Sequence, residues 1–189
     1  MNFKHHLILA SSSPRRHYLM KEAGFTFTVE KPGVDESFPV DLPAEQVARY
    51  LAQKKAEYFR TIIHGDQVFV TADTVVILNG KIINKPADRN EAIHMLSQLS
   101  GKTHFVMTGV CILSAEKEIS FDDTTEVTFK KLTPEEIAYY VDTHKPYDKA
   151  GAYGAQDFIG MIAIEKINGS YFNVMGLPIH KVYAALKNW

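Results

Sequence analysis

The sequence predicts an α/β (α+β) fold, a single domain built on a mixed β-sheet with flanking helices. Three observations lead there. Short apolar or alternating stretches with strand character take turns with longer stretches of helical periodicity. Asn79-Gly80 sits between two apolar runs, a strong two-residue hairpin signal. The 189 residues are 46% hydrophobic and 23% charged, which suits one domain with a sizeable core.

In chain order, Leu7–Ala10 reads as a buried strand. Ser13 can cap a helix that has Pro14 at its first position and ends near Gly24. Phe25–Val29 alternates and reads as a strand. Residues 32–43 form a loop carrying Asp35-Glu36. A long helix is expected over Ala44–Ile63, with Ala44, Val47, Ala48, Leu51, Ala52, Phe59 and Ile62 in one stripe. Lys55 falls near the centre of that stripe, and Lys54 lies roughly 90° away on its flank. Gln67–Ala72 is expected to be a strand ending at Asp73-Thr74, and Val75–Leu78 pairs with Lys81–Asn84 across the Asn79-Gly80 turn. Arg89–Leu99 suits a helix capped by Asp88, with Ala92, Ile93, Leu96 and Leu99 inward. Thr103–Leu113 and Ile119–Phe129 read as two long strands. Thr133 and Glu136 have capping-box spacing and open a helix through about Thr143. Tyr147–Gln156 reads as a glycine-bearing functional loop, Gly160–Ile167 as a strand, and the stretch after Pro178 as an amphipathic helix.

Lys and Arg number 21 against 22 Asp and Glu, for a net charge of −1. That gives no basic excess of the kind a general nucleic-acid binder carries. The apolar run Leu7–Ala10 is too short for a signal peptide, and no stretch approaches the ~20 apolar residues of a membrane span. Cys111 is the single cysteine, so an internal disulfide framework is excluded. A soluble cytoplasmic protein is expected. The eight histidines show no paired metal-ligand spacing.

Ser11 through Arg16 concentrate three hydroxyls, a helix start and two guanidiniums. Cations are disfavoured at a helix N-terminus, so Arg15 and Arg16 there point to an anion, most naturally phosphate. Solvated surface arginines are the alternative. Lys55 either pairs with an anion or snorkels. Asp73 suits a metal ligand or general base at a strand end, or a simple turn cap. Asp35-Glu36 is either a solvated pair or part of a Mg²⁺ site. Lys85-Pro86 is either a phosphate contact or a charged edge. The loop from Asp148 to Gln156 offers close backbone approach, a stacking Tyr153 and an amide that suits a base edge, or it is a mobile surface loop. Together these residues form the kit of phosphoryl chemistry, where catalysis is mostly positioning and charge neutralisation.

The residues Leu9-Ala10-Ser11-Ser12-Ser13-Pro14-Arg15-Arg16, Val34-Asp35-Glu36, Ala52-Gln53-Lys54-Lys55-Ala56 and Ala72-Asp73-Thr74-Val75-Val76 closely resemble the Maf family of nucleoside triphosphate pyrophosphatases. The pattern continues through Lys85-Pro86, Leu99–His104, Asp148–Gly154, Ile167–Tyr171 and Val174–Pro178, covering about Leu7 to Leu186. The resemblance implies an inosine-triphosphate-pyrophosphatase-like fold of two lobes on a long mixed sheet, with an active-site cleft between them. It implies hydrolysis of a nucleoside triphosphate to its monophosphate and pyrophosphate with Mg²⁺ or Mn²⁺, and a homodimer.

By the same resemblance Asp73 is the proton acceptor for water, and Asp73 and Glu36 hold the metal. Lys55 and Lys85 take part in catalysis and, with Ser11, Ser13 and Arg16, bind phosphate. Arg15, Thr74 and Gln156 resemble the dTTP/UTP branch, where the 7-methyl-GTP branch carries tryptophan and glutamine at the positions of Arg15 and Thr74. Asp35 stands where many relatives have Glu, and Lys54 where relatives often have Glu or Gln. A 7-methyl-GTP-type enzyme, or a nucleotide-binding regulator of cell division with secondary catalysis, are the alternative expectations.

Overall fold

The computed structural model describes residues 4–189. The strands are β1 (His6–Ala10), β2 (Thr28–Glu30), β3 (Gln67–Leu78), β4 (Lys81–Ile83), β5 (Thr103–Leu113), β6 (Glu118–Phe129) and β7 (Ile164–Asn168). The helices are α1 (Pro14–Glu22), α2 (Ala44–Arg60), α3 (Arg89–Leu99), α4 (Pro134–His144), α5 (Phe158–Ala163), α6 (Tyr171–Val174) and α7 (Ile179–Lys187), with a 3-10 turn at Ala150–Ala152. Seven strands among the described residues form a sheet of order β2-β1-β3-β5-β6-β7, with β4 paired to β3. The sheet is mixed: β1 runs parallel to β2 and β3, whereas β4 and β7 pair antiparallel with β3 and β6. The expected mixed sheet with flanking helices is therefore present. Among the described residues, no helix is long and apolar enough to cross a membrane.

The chain divides into two compact units. The first comprises the chain up to Thr74 with Thr108–Asp123 and Gly176–Trp189, and the second comprises Val75–Met107 and Thr124–Met175. In the first unit, α2 lies on the sheet. Phe59 stacks on Phe69 with ring centroids 4.4 Å apart and packs with Ile8 and Ala10. Ala52 and Ala56 pack on Cys111 and Leu113 of β5. Cys111 is a core residue, as its alternation predicts; burial pushes its thiol up to about 12, which keeps it protonated and inert.

The contact between α2 and β5 is close enough to dictate a residue. A Cβ on Gly109 would sit 2.3 Å from the backbone of Ala48 and Arg49. Gly109→Ala is therefore expected to destabilise the protein by about 1–3 kcal/mol through overpacking. At roughly 2–4 °C per kcal/mol for a chain of this size, a thermal melt would fall by several degrees. An unchanged melting temperature would contradict this packing.

The second unit gathers its core from α3, α4, α5 and the adjoining strand segments, with Leu96, Leu99, Phe129, Tyr140 and Ile159 among its fully buried side chains. Asp88 caps α3 by accepting from the Glu91 amide, and Thr133 and Glu136 close a full capping box on α4. Asn79 and Gly80, at φ 51° and 73°, make the expected tight turn between β3 and β4. His104 is fully buried in an aromatic group with Phe129 and Tyr153; its Nε2 lies 2.8 Å from the Tyr153 hydroxyl, and burial lowers it to about 4.

Several elements differ from expectation. The strand carrying Asp73 does not end there: β3 continues to Leu78, because both Asp73 and Thr74 have side-chain partners that hold them extended. β2 begins at Thr28, and Phe25 instead packs beside Tyr183. α2 ends at Arg60, which leaves Ile62 out of the stripe and 55% exposed. Of the strand expected over Gly160–Ile167, the part from Ile164 on is β7, whereas residues 160–163 belong to α5, with Ile159, Gly160 and Ala163 buried at helical spacing and Met161 outward. Ser13 occupies the N-cap position of α1 but makes no side-chain cap bond.

Candidate active site

Strand geometry brings Asp73 to Lys55. Alternate residues of β3 share a face. Phe69 meets Phe59 of α2, and the Thr71 hydroxyl donates to the Ala52 carbonyl at 2.7 Å. Asp73 therefore points to the same side, toward α2, where Lys55 stands between Ala52 and Phe59. Lys55 Nζ donates to Asp73 Oδ1 at 2.5 Å and to Glu36 Oε1 at 2.9 Å. Lys55 is 7% exposed and Asp73 8%. An ammonium so buried is tolerated because it is paired, so pairing rather than snorkelling describes it. Glu36 reaches it from the loop between β2 and α2, and its side chain is about half exposed.

Thr74, one residue on, faces the other side of the sheet and meets Arg16. The Arg16 guanidinium donates Nε–H to the Gly176 carbonyl at 2.8 Å and Nη1–H to the Ala72 carbonyl at 2.8 Å. It also donates to Ser11 Oγ at 3.3 Å and, through Nη2, to Thr74 Oγ1 at 3.1 Å. Four of its five N–H groups are thus directed at protein oxygens. Burial pushes the guanidinium below its ordinary value, and the nearby Asp73 carboxylate opposes that. The Ser11 hydroxyl also accepts from the Ser13 amide, and His17 Nε2–H donates to the Ser11 carbonyl. Thr74 Oγ1 lies 2.9 Å from Thr108 Oγ1. Ser11, Arg16 and Thr74 therefore form one hydrogen-bonded group that joins the start of α1 to β3, with the part-buried Arg15 beside Arg16 in the first turn of α1.

The loop that carries Glu36 lies along α2. A Cβ on Gly33 would touch the Tyr58 ring at 3.1 Å. Lys54 Nζ donates to Asp35 Oδ1 at 2.5 Å, to the Ser37 carbonyl at 2.9 Å and to Ser37 Oγ at 3.0 Å. Asp35 Oδ1 also accepts from the Ser37 amide and hydroxyl. The Lys54 and Ser37 donors hold the Asp35 carboxyl well below the usual carboxylate range.

Lys85 and Gln156 belong to the second unit. Lys85 is exposed just past β4, and its neighbour Asn84 accepts at 3.0 Å from the Gly151 amide of the 3-10 turn. Gln156 follows that turn, and its Oε1 is buried with no hydrogen-bond partner. The next residue, Asp157, accepts from the Tyr140 hydroxyl at 3.0 Å and lies 3.7 Å from Lys149 Nζ. These contacts hold the loop at its middle and just past its end.

Thr108, the Gly176 carbonyl and Ser37 escape the sequence reading, and Lys54 is read there only by its place on the flank of α2. A lone threonine in the apolar run of β5 was the available signal for Thr108; the carbonyl has none.

Among the described residues, no group of three or more His, Cys, Asp and Glu side chains could hold a metal. What the first unit offers a cation is the Asp73–Glu36 pair, brought together on one ammonium. That donor set fits a hard cation such as Mg²⁺, which takes one or two carboxylates and completes its shell with substrate phosphates and water. A carboxylate base, the buried Lys55, the part-buried Arg16 and a helix start without a side-chain cap can together receive a polyphosphate and deprotonate water.

Comparison with known proteins agrees with this chemistry. The chain is 48% identical over 185 residues to the dTTP/UTP pyrophosphatase of Bacteroides thetaiotaomicron, covering 97% of this chain and 96% of that one. It is 46% identical over 189 residues to the dTTP/UTP pyrophosphatase of Porphyromonas gingivalis, covering 98% and 95%. Its fold is similar to that of the Staphylococcus aureus Ham1 protein, with a TM-score of 0.53 at 14% identity over 97% of this chain and 98% of that one. Residues 6–189, which hold every residue of the site, match the family model for Maf-like proteins, and the chain belongs to the Maf family.

Proposed function

We propose that the chain is a nucleoside triphosphate pyrophosphatase that converts dTTP and UTP to the monophosphate and pyrophosphate. The observation that carries this reading is the Lys55 ammonium seated between Asp73 and Glu36, in a chain that aligns along nearly its whole length with relatives named for that activity. Asp73 takes a proton from water as the water oxygen bonds to phosphorus, and the bridging P–O bond between the α and β phosphates breaks. Lys55, fixed before substrate arrives, meets the phosphate charge without reorganisation. Arg16 keeps its place through protein acceptors and adds positive charge beside Ser11 and Ser13. Asp73 and Glu36 are the residues that would hold a divalent cation, which when bound would supply further neutralisation of the phosphates.

Arg15, Thr74 and Gln156 are the residues we assign to substrate choice. Thr74 acts through Arg16, whose Nη2 it holds. The roles of Lys85 as a phosphate contact and Gln156 as a base reader rest on the family resemblance; the unpartnered buried Oε1 of Gln156 suits a donor such as the N3–H of uracil or thymine.

The test is pyrophosphate release from a panel of triphosphates with Mg²⁺ or Mn²⁺. dTTP and UTP are expected to exceed the purine triphosphates in kcat/KM by at least about tenfold, a difference of ~1.4 kcal/mol in transition-state binding. Activity confined to 7-methyl-GTP or ITP would overturn the pyrimidine assignment.

A further inference from the structure

Glu36 is more exposed than Lys55 and Asp73, and it comes from a loop rather than from a helix or strand. What fixes the loop is α2 itself, in register. Gly33 lies on the Tyr58 ring, and Asp35 and Ser37 both close on Lys54, one helical turn from Tyr58. The residue between them, Glu36, is thereby turned toward the next side chain of the helix, Lys55. Lys54 spends all three ammonium hydrogens on this loop, one on the Asp35 carboxylate and two on the Ser37 carbonyl and hydroxyl. Asp35 is 73% exposed, and an exposed ion pair adds little to stability. Its geometry is more than a stray surface pair requires.

We propose that Lys54, with Asp35 and Ser37, is a positioning clamp that holds Glu36 against Lys55 and so sets the spacing of the Glu36–Lys55–Asp73 triplet for the reaction. The adjacent lysines of α2 divide the work. Lys55 faces in and meets substrate charge; Lys54, on the flank, bonds to the loop. The proposal rests on the pyrophosphatase reading for its catalytic consequence, and on the loop geometry alone for the clamp.

Two measurements separate those parts. Amide hydrogen exchange over residues 33–38 reads the clamp without any substrate. Lys54→Met is expected to speed exchange at the Ser37 amide by tenfold or more while leaving the melting temperature within a degree or two, and Lys54→Arg is expected to restore part of the protection. Unchanged exchange would overturn the clamp. The second measurement is a double-mutant cycle on kcat and KM for dTTP. Lys54→Met is expected to lower kcat about 5–20-fold with little change in KM, in the same direction as Glu36→Gln. In a Glu36→Gln background it should have no further effect, because the residue it positions is already disabled. Independent, multiplying losses in the double variant would overturn the positioning role. If the wild type releases no pyrophosphate from any triphosphate, the pyrophosphatase reading fails, and the exchange result still decides the clamp.

Discussion

Asp73→Asn is expected to lower kcat for dTTP by about 10²–10⁴-fold, the usual contribution of a positioned general base. The substitution keeps the shape of the side chain and its place on β3, opposite Lys55. Lys55 retains Glu36 at 2.9 Å, and Arg16 retains its carbonyl acceptors at Ala72 and Gly176. Substrate binding should therefore change little, and KM should stay within a fewfold of the wild type. Steady-state pyrophosphate release at saturating Mg²⁺ gives both parameters. A variant with normal kcat would remove Asp73 from the role of base; one with normal kcat and a raised KM would make it a binding residue only.

Lys55→Met is expected to damage both stability and turnover. The methionine can occupy the space of the lysine stem between α2 and the sheet. The two carboxylates then face each other without an ammonium. Removing one partner of a buried ion pair costs about 3–5 kcal/mol; the low end applies here, because Glu36 is half in water. At roughly 2–4 °C per kcal/mol, the melting temperature should fall by about 6–12 °C. Turnover should fall by about 10²–10³-fold through loss of a fixed cation at the phosphates. Thermal melts and kcat/KM on the same preparation check both. A variant that melts higher than the wild type and turns over normally would show that the lysine is neither a structural pivot nor a phosphate group.

The inward lysine is legible in the sequence, because helical spacing alone centres Lys55 among Val47, Ala48, Leu51, Ala52 and Phe59, and these are buried with it. Asp73 was legible as a residue but not in its setting. An Asp-Thr pair after an apolar run looks like the end of a strand, whereas tertiary partners on both faces keep the chain extended through it. Arg16 was marked as an anion binder by its charge at a helix start. That most of its donors are spent on protein oxygens could not be read, since the key acceptors are backbone carbonyls 56 and 160 positions away. Lys54 was placed correctly on the flank of α2, but its use depends on how a loop folds back, which no periodicity encodes. The helix at residues 160–163, where a strand is expected, has a similar cause: four apolar or small residues fit a strand and a buried helix turn equally well.

The most direct test of the central claim is the identity of the products that the wild-type protein makes from dTTP in Mg²⁺. Hydrolysis is expected to give thymidine monophosphate and pyrophosphate in equal amounts, with Asp73→Asn forming neither at a comparable rate. Orthophosphate with thymidine diphosphate as the products, or equal turnover by the two proteins, would contradict it.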